Sequence, residues 1–167
     1  KYEYKKSDCD INPVIGEYDA PDLQKQGLLT MPITRGGNWI VYGMADSGKD
    51  ELINSLVYSC ITTYSPIELN MYLLDFGAET LRMYRKAPQV GDVIFQNDTD
   101  KVINLVRMIT TMMEGRKKKF ADFGGDYISY CKSSGKILPN ILVVINGFET
   151  FNEAYGDQLF DSLISIT

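Results

Sequence analysis

One short segment of the chain carries residue types at the spacing that phosphate binding requires. Gly43, Gly48 and Lys49 match the pattern G-x-x-x-x-G-K-[ST], with Ser47 directly before the second glycine. In that pattern backbone N–H groups cradle phosphates, the lysine reaches the β/γ-phosphates, and the final hydroxyl binds Mg²⁺. Asp50 stands at the position of that hydroxyl, and its carboxylate repels phosphate oxygens. The segment predicts a phosphate-binding loop that lacks its usual metal ligand.

A second candidate position follows an aliphatic run late in the chain. Residues 141–145 end at Asn146, where phosphate-loop enzymes place an aspartate that helps to hold Mg²⁺. A neutral amide is a poorer partner for this hard cation than a carboxylate. Asp50 and Asn146 thus both depart at metal-linked positions, which predicts weak or absent ATP hydrolysis. A metal site modified by Asp50 is the alternative.

Glu149 is the remaining candidate for catalysis, three residues after Asn146. It either approaches the γ-phosphate or is an acid at a helix N-terminus, stabilised by the helix dipole. The second interpretation is favoured, so no catalytic residue is assigned.

The elements that must position these residues alternate along the chain. Apolar runs predict strands over 39–42, 68–75, 93–95 and 140–146. Helical spacing predicts helices after Lys49, from 102 to about 123, from 149 to 155 and from 157 to the end, whereas residues 133–135 are predicted as a loop. This alternation predicts an α/β fold with a mostly parallel sheet and helices on both faces. Residues 1–38 are predicted as a lead-in of short strands and turns, and 39–167 as the core.

Composition limits the classes of function. The 167 residues predict one domain, and 22 acidic against 17 basic side chains give a net charge of −5, which argues against a surface built to bind nucleic acid. No apolar run has the length of a membrane span and no secretory signal is visible. The chain has no His, and its three cysteines lack metal-ligand spacing. They are expected to be free thiols in a reducing cytosol. Because the first residue is Lys, we expect a piece of a longer protein.

Several stretches together carry a family resemblance. They are 14–26, the loop 43–50, 64–77, 87–93 (with Gln89 where the family has His), 114–116 and 127–130. With them the chain resembles the FtsK/SpoIIIE-type P-loop ATPase domains of EssC/EccC proteins, the membrane-bound motors of type VII secretion, along nearly its whole length. The lead-in and the strand ending Leu-Asp-Phe-Gly look most like a middle domain of the tandem array.

The resemblance implies a RecA-like P-loop fold, with ATP and Mg²⁺ as cofactors. Gly43, Ser47, Gly48, Lys49 and Asp50 are then the nucleotide-binding positions, and Asp50 with Asn146 the degenerate metal positions. It implies a cytoplasmic domain of a membrane-anchored protein. Its implied partners are neighbouring ATPase domains, other subunits of a homo-hexamer, and small helical secreted substrates. The chain is expected to stop before the family's last core strands and sensor region.

The sequence is compatible with three functions. The first is a degenerate domain with a regulatory or structural role, and the second is an active secretion ATPase with a modified Mg²⁺ site. The third is a DNA-translocating domain, for which the basic run 116–119 is the motive. On a helix such a run is more often a solvated face, and Arg116 is expected to pack at an inter-domain face instead.

Overall fold

The computed structural model describes residues 9–164. The strands are β1 Val14–Ala20, β2 Lys25–Thr30, β3 Leu69–Asp75, β4 Val90–Phe95 and β5 Asn140–Asn146. The α-helices are α1 Ile33–Gly36, α2 Lys49–Thr63, α3 Thr99–Phe120, α4 Tyr127–Ser134 and α5 Phe148–Ile164. Short 3₁₀ helices span Pro21–Leu23, Thr80–Lys86 and Ala121–Phe123. No helix within residues 9–164 combines the length and the apolarity needed to cross a membrane.

The core sheet of the described residues has three parallel strands in the order β4-β3-β5. We name the edge where these strands end the carboxyl edge, and the opposite one the amino edge. Because side chains alternate along a strand, Leu73 of the central strand faces one hydrophobic cluster and Leu74 faces another. The predicted α/β fold, with a parallel sheet covered on both faces, is confirmed.

Helix α2 covers the first face and runs antiparallel to the strands. Its residues Val57 and Cys60 are fully buried in the cluster that contains Leu73. At the amino edge Gln89 Nε2 donates to the carbonyl of Tyr64, directly after the helix, at 2.6 Å. The first turn of α2 therefore lies at the carboxyl edge, which is where the predicted phosphate loop must be.

Helices α3 and α5 cover the second face. Phe76, just past β3, packs edge-on against Phe151 and Tyr155 of α5, with ring centroids 5.4 and 5.9 Å apart. Near the end of α3, Arg116 Nη2 donates to the Pro139 carbonyl at 2.6 Å. Since Pro139 precedes β5, α3 ends at the amino edge and begins at the carboxyl edge.

The residues before the core form an antiparallel hairpin of β1 and β2. Ile11 and Met31, on either side of the hairpin, are buried in the cluster beneath α2 and attach it to the core. The division into 1–38 and 39–167 stays a prediction. Residues 1–8 and 165–167 lie outside the described residues.

Three local predictions are wrong. Residues 39–42 form no strand, and Ile40 and Tyr42 are 86% and 92% exposed. An apolar run becomes a strand only beside a neighbour that satisfies its backbone groups, and no described strand lies next to this one. Ser133 and Ser134 end α4 rather than forming a loop, and the turn comes at Gly135, whose φ is 65°. The two helical segments expected after Glu149 are one helix, α5.

Candidate nucleotide site at the carboxyl edge

The loop 43–50 makes a tight turn into α2. Gly48 has φ 85°, in the left-handed region that glycine adopts at little cost, and Asp46 has φ 56°. A Cβ on Gly43 would lie only 2.5 Å from Ser47 Oγ. Gly48 is therefore needed for the shape of the loop, whereas a side chain at residue 43 would require Ser47 to turn away. The first backbone N–H groups of the 15-residue helix α2 point out of its N-terminal end, along its axis, with no intrahelical partner.

Lys49 folds back onto its own loop. Its Nζ donates to the carbonyl of Gly43 at 2.5 Å and to that of Met44 at 2.8 Å. These bonds close the loop around its own lysine. The cavity lined by residues 46–51 is about 80 Å³, against roughly 300–1,000 Å³ for ordinary small-molecule pockets. In this conformation the loop has room for a phosphate group and not for a whole nucleotide.

Asp50 lies in the first turn of α2 together with Glu51. Both side chains are exposed, and neither forms an ion pair in the described part of the chain. Carboxylates at a helix N-terminus are favoured by the helix dipole. The same dipole is what attracts phosphate to this position, so the two carboxylates compete with an anionic ligand.

Asn146 ends β5 directly beside Asp75, the last residue of β3. Asn146 Nδ2 donates to Asp75 Oδ1 at 3.2 Å, and both side chains are buried. Asp75 lies two residues after Leu73, and Asn146 two residues after Val144. Because side chains two apart on a strand point to the same face, and Leu73 and Val144 pack beneath α2, both Asp75 and Asn146 lie on the face that α2 covers. Asn146 and the first turn of α2 thus share one edge and one face of the sheet.

Glu149 lies in the first turn of α5 and is exposed. Within residues 9–164 it forms no ion pair, and its position matches that of an acid stabilised by a helix N-terminus.

This edge lacks both groups that hold magnesium in P-loop enzymes, a hydroxyl at residue 50 and an aspartate at residue 146. Within residues 9–164 no three acidic or sulfur side chains come close enough to hold a metal. Asp75 already accepts from the backbone N–H groups of Leu81 and Gly77 at 2.9 and 3.3 Å, in addition to Asn146. The loop itself fits a phosphate group better, since its glycines, its lysine and the start of α2 are all in place.

The roles of two polar residues were missed by the sequence interpretation. The sequence predicts Asp75 only as the last residue of a strand, although parallel strands ending in Asp and Asn at one edge already suggest a pair. Gln89 was noted only as a replacement for His. It is 1% exposed, and its amide binds the last carbonyls of α2.

The basic run 116–119 divides into two parts. Burial lowers the pKa of the Arg116 guanidinium, an effect that Tyr127 partly opposes, and the side chain is bound to the Pro139 carbonyl. Lys117, Lys118 and Lys119 are exposed at the end of α3, where the helix dipole favours cations. The run lies near the amino edge, opposite the phosphate loop.

A parallel α/β sheet with a glycine-bounded loop entering a helix at its carboxyl edge is the arrangement of P-loop nucleotide-binding domains. The sequence profile of the FtsK/SpoIIIE family matches residues 20–154, and the chain belongs to this family.

Within the family the chain is homologous to type VII secretion ATPase domains. It is 22% identical over 156 residues to the type VII secretion system protein EssC of Staphylococcus aureus (strain NCTC 8325 / PS 47), covering 93% of this chain and 10% of that protein. It is 30% identical over 144 residues to the ESX secretion system protein EccC of Geobacillus thermodenitrificans (strain NG80-2), covering 86% of this chain and 10% of that protein. The chain thus spans about a tenth of the length of these relatives.

A solved structure supports the same fold. The structure of EssC (ATPases 2 and 3) from Geobacillus thermodenitrificans superposes with a TM-score of 0.82 at 26% identity. The superposition covers 99% of this chain and 31% of that one. The fold of this chain is therefore that of the EssC/EccC P-loop ATPase domains.

Proposed function

We propose that this chain is a degenerate ATPase domain of a type VII protein secretion protein, with a regulatory or structural role and weak or absent ATP hydrolysis. The observation that carries the proposal is the buried Asn146–Asp75 pair at the carboxyl edge. Where a metal-anchoring carboxylate belongs there is an amide, and the neighbouring carboxylate already accepts three hydrogen bonds. Without an anchored Mg²⁺ the charge that develops in phosphoryl transfer is not neutralised.

Nucleotide binding is a separate matter from hydrolysis. Gly43, Ser47, Gly48 and Lys49 would hold the phosphates of ATP, and Lys49 must first leave the carbonyls that it now binds. Asp50, exposed in the first turn of α2, opposes the γ- and β-phosphates. We expect binding that is weak and does not depend on Mg²⁺.

The role that we propose for the whole protein is taken from its relatives. Proteins named EssC and EccC are about ten times as long as this chain, and the solved EssC structure contains two ATPase domains in one chain. We propose neighbouring ATPase domains of the same chain, and equivalent domains of a homo-hexamer, as the partners of this domain. Small helical secreted proteins are the proposed substrates, and the cytoplasmic side of a membrane-anchored protein is the proposed location.

The two alternative functions are outcomes of the same measurements. An active ATPase with a modified Mg²⁺ site requires Asp50 to bind the metal, although the chain offers it no second carboxylate at Asn146. A DNA-translocating domain requires the basic run to contact DNA, and Arg116 is already bound to Pro139. Salt-sensitive DNA affinity would favour that function.

The test is calorimetry of ATP binding with and without Mg²⁺, on the parent chain and on Asp50→Thr. We expect the parent to bind ATP equally weakly in both conditions, and Asp50→Thr to bind it about 5- to 10-fold more tightly because a repulsive charge is removed. Asp122→Thr is the matched control, since Asp122 is an exposed acid beyond the end of α3, at the opposite edge. Tight binding that requires Mg²⁺ and is weakened by Asp50→Thr would favour the active site instead.

A further inference from the structure

We propose that Asn146 is a positioning residue: its amide holds the buried carboxylate of Asp75, which in turn fixes the segment that packs on the phosphate-loop helix α2. A carboxylate at residue 146 is incompatible with this arrangement. The inference goes beyond the proposed function and does not depend on nucleotide binding.

The carboxylate of Asp75 is held by hydrogen bonds on both oxygens. Its side chain is 1% exposed and accepts from three donors: Gly77 N, Leu81 N and Asn146 Nδ2. An ionised carboxylate is an acceptor only, so the amide nitrogen of Asn146 must face it. None of the ion pairs in residues 9–164 involves Asp75. The charge of Asp75 is therefore balanced by neutral donors, of which Asn146 is the only side chain in the described residues.

A carboxylate in place of the Asn146 amide would face the carboxylate of Asp75. An aspartate at residue 146 would set two acids about 3 Å apart with no cation between them, and such a pair resists ionising together. One acid must then keep a proton or move away. Either change removes Asp75 from its present bonds or leaves a buried charge without a partner, and both are costly.

The ends of β3 and β5 are held together by a backbone hydrogen bond. Phe76 N donates to the Asn146 carbonyl at 2.9 Å. A Cβ on Gly147, whose φ is 76°, would lie 2.8 Å from the backbone of Phe76. A Cβ on Gly77 would lie 3.1 Å from Asn146 Nδ2. The backbones of β3 and β5 thus lie in contact just past Asp75, and repulsion between residues 75 and 146 could move the strand ends apart only by stretching the bond between Phe76 N and the Asn146 carbonyl.

The pair of Asp75 and Asn146 is linked to the phosphate-loop helix α2 through the 3₁₀ helix Thr80–Lys86. Asp75 Oδ2 holds Leu81 N, in the 3₁₀ helix Thr80–Lys86. From the same 3₁₀ helix, the Tyr84 hydroxyl donates to the Asn54 carbonyl on α2 at 3.3 Å. Leu81 is fully buried in the cluster beneath α2. A change at Asn146 therefore reaches α2 through Asp75 and this 3₁₀ helix.

The experiment is urea unfolding of the 167-residue chain and of four variants: Asn146→Asp, Asn146→Ala, Asp75→Asn and the exchanged pair Asp75→Asn/Asn146→Asp. We expect Asn146→Asp to lower the folding equilibrium constant by about 100-fold or more, and Asn146→Ala by about 10-fold. The exchanged pair should recover at least about 10-fold over Asn146→Asp, because it again joins one amide to one carboxylate. Asn104→Asp, an exposed position on α3, makes the same chemical change and should stay within about 2-fold of the parent.

Hydrogen exchange of backbone amides provides a readout that general destabilisation does not reproduce. In Asn146→Ala the Leu81 amide should exchange at least about 10-fold faster than the global loss of stability explains, because its acceptor is released. The Tyr64 amide, bonded to Cys60 O at the other end of α2, is the internal control. The proposal is overturned if Asn146→Ala has the same stability as the parent and its Leu81 amide exchanges at the same rate. If Asn146→Asp does not fold, the proposal requires that the exchanged pair does, and an exchanged pair that also fails to fold contradicts it.

Discussion

The ammonium group of Lys49 lies 2.5 Å from the carbonyl oxygen of Gly43, at the opposite end of the same loop. The lysine that must bind phosphate therefore satisfies itself within the loop. Binding of a nucleotide exchanges these neutral acceptors for charged ones, and charge-assisted hydrogen bonds are the stronger kind. Lys49 is free to make this exchange because its present partners are backbone carbonyls rather than a carboxylate.

From this relationship we expect Lys49→Ala to weaken the binding of ATP by about 10- to 100-fold, the equivalent of one lost charge-assisted bond. Calorimetry without Mg²⁺ measures this directly. Lys117→Ala removes an exposed lysine near the opposite edge and should leave the affinity unchanged. Equal losses in the two variants would mean that general charge, rather than the loop, attracts the nucleotide.

Gln89 supports the end of the phosphate-loop helix. Its amide donates to the carbonyls of Ile61 and Tyr64 at 2.9 and 2.6 Å, which lack partners within the helix. We expect Gln89→Met, which keeps the volume, to lower the free energy of unfolding by about 1–3 kcal/mol. Gln89→Glu should cost more, because a buried carboxylate would face two carbonyl acceptors.

Urea unfolding checks the order of these two variants at Gln89. The exposed Gln96 supplies the control, since Gln96→Glu should change stability by no more than about 0.5 kcal/mol. A Gln89→Met variant as stable as the parent would show that the amide donor contributes nothing, and a Gln89→Glu variant as stable as Gln89→Met would contradict the repulsion between a carboxylate and the two carbonyls.

Trp39 reports on the segment before the loop. It is the single tryptophan of the chain and is 50% exposed. We expect acrylamide to quench its fluorescence with an efficiency that approaches that of the urea-unfolded chain. Strong protection from quenching in the folded chain would mean that residues 39–42 are covered in solution, as the sequence predicts.

Cys60 gives the stability of the chain a dependence on alkaline pH. Burial raises the pKa of its thiol to about 12 from an ordinary value of 9.0. The neutral thiol is the form that the fold favours, so this contribution is complete below pH 9.0 and is lost as the pH rises towards 12. We expect the free energy of unfolding to fall between about pH 9 and about pH 12, and to fall less in Cys60→Ala. Identical slopes in urea unfolding for the two proteins would contradict this.

The sequence predicts some features of this fold well and others poorly, for physical reasons. Residues 140–146 are predicted as a strand to the residue, because a long aliphatic run has few alternatives to a buried parallel strand. Residues 39–42 have a similar pattern, but pairing depends on a neighbouring strand, which composition does not reveal. The bond between Asn146 and Asp75 depends on the register of two strands 71 residues apart, and only the folded sheet supplies it. From the sequence alone Asn146 is a lost metal ligand, whereas in the structure it is also a donor.

The proposal of weak or absent ATP hydrolysis is tested most directly by steady-state ATP hydrolysis of the chain at saturating Mg-ATP, measured beside that of Lys49→Ala. We expect a rate that does not exceed that of Lys49→Ala, because neither Asp50 nor Asn146 provides an anchored Mg²⁺. A turnover of about 1 s⁻¹ or more, within the range of ordinary enzymes, that disappears in Lys49→Ala would contradict it.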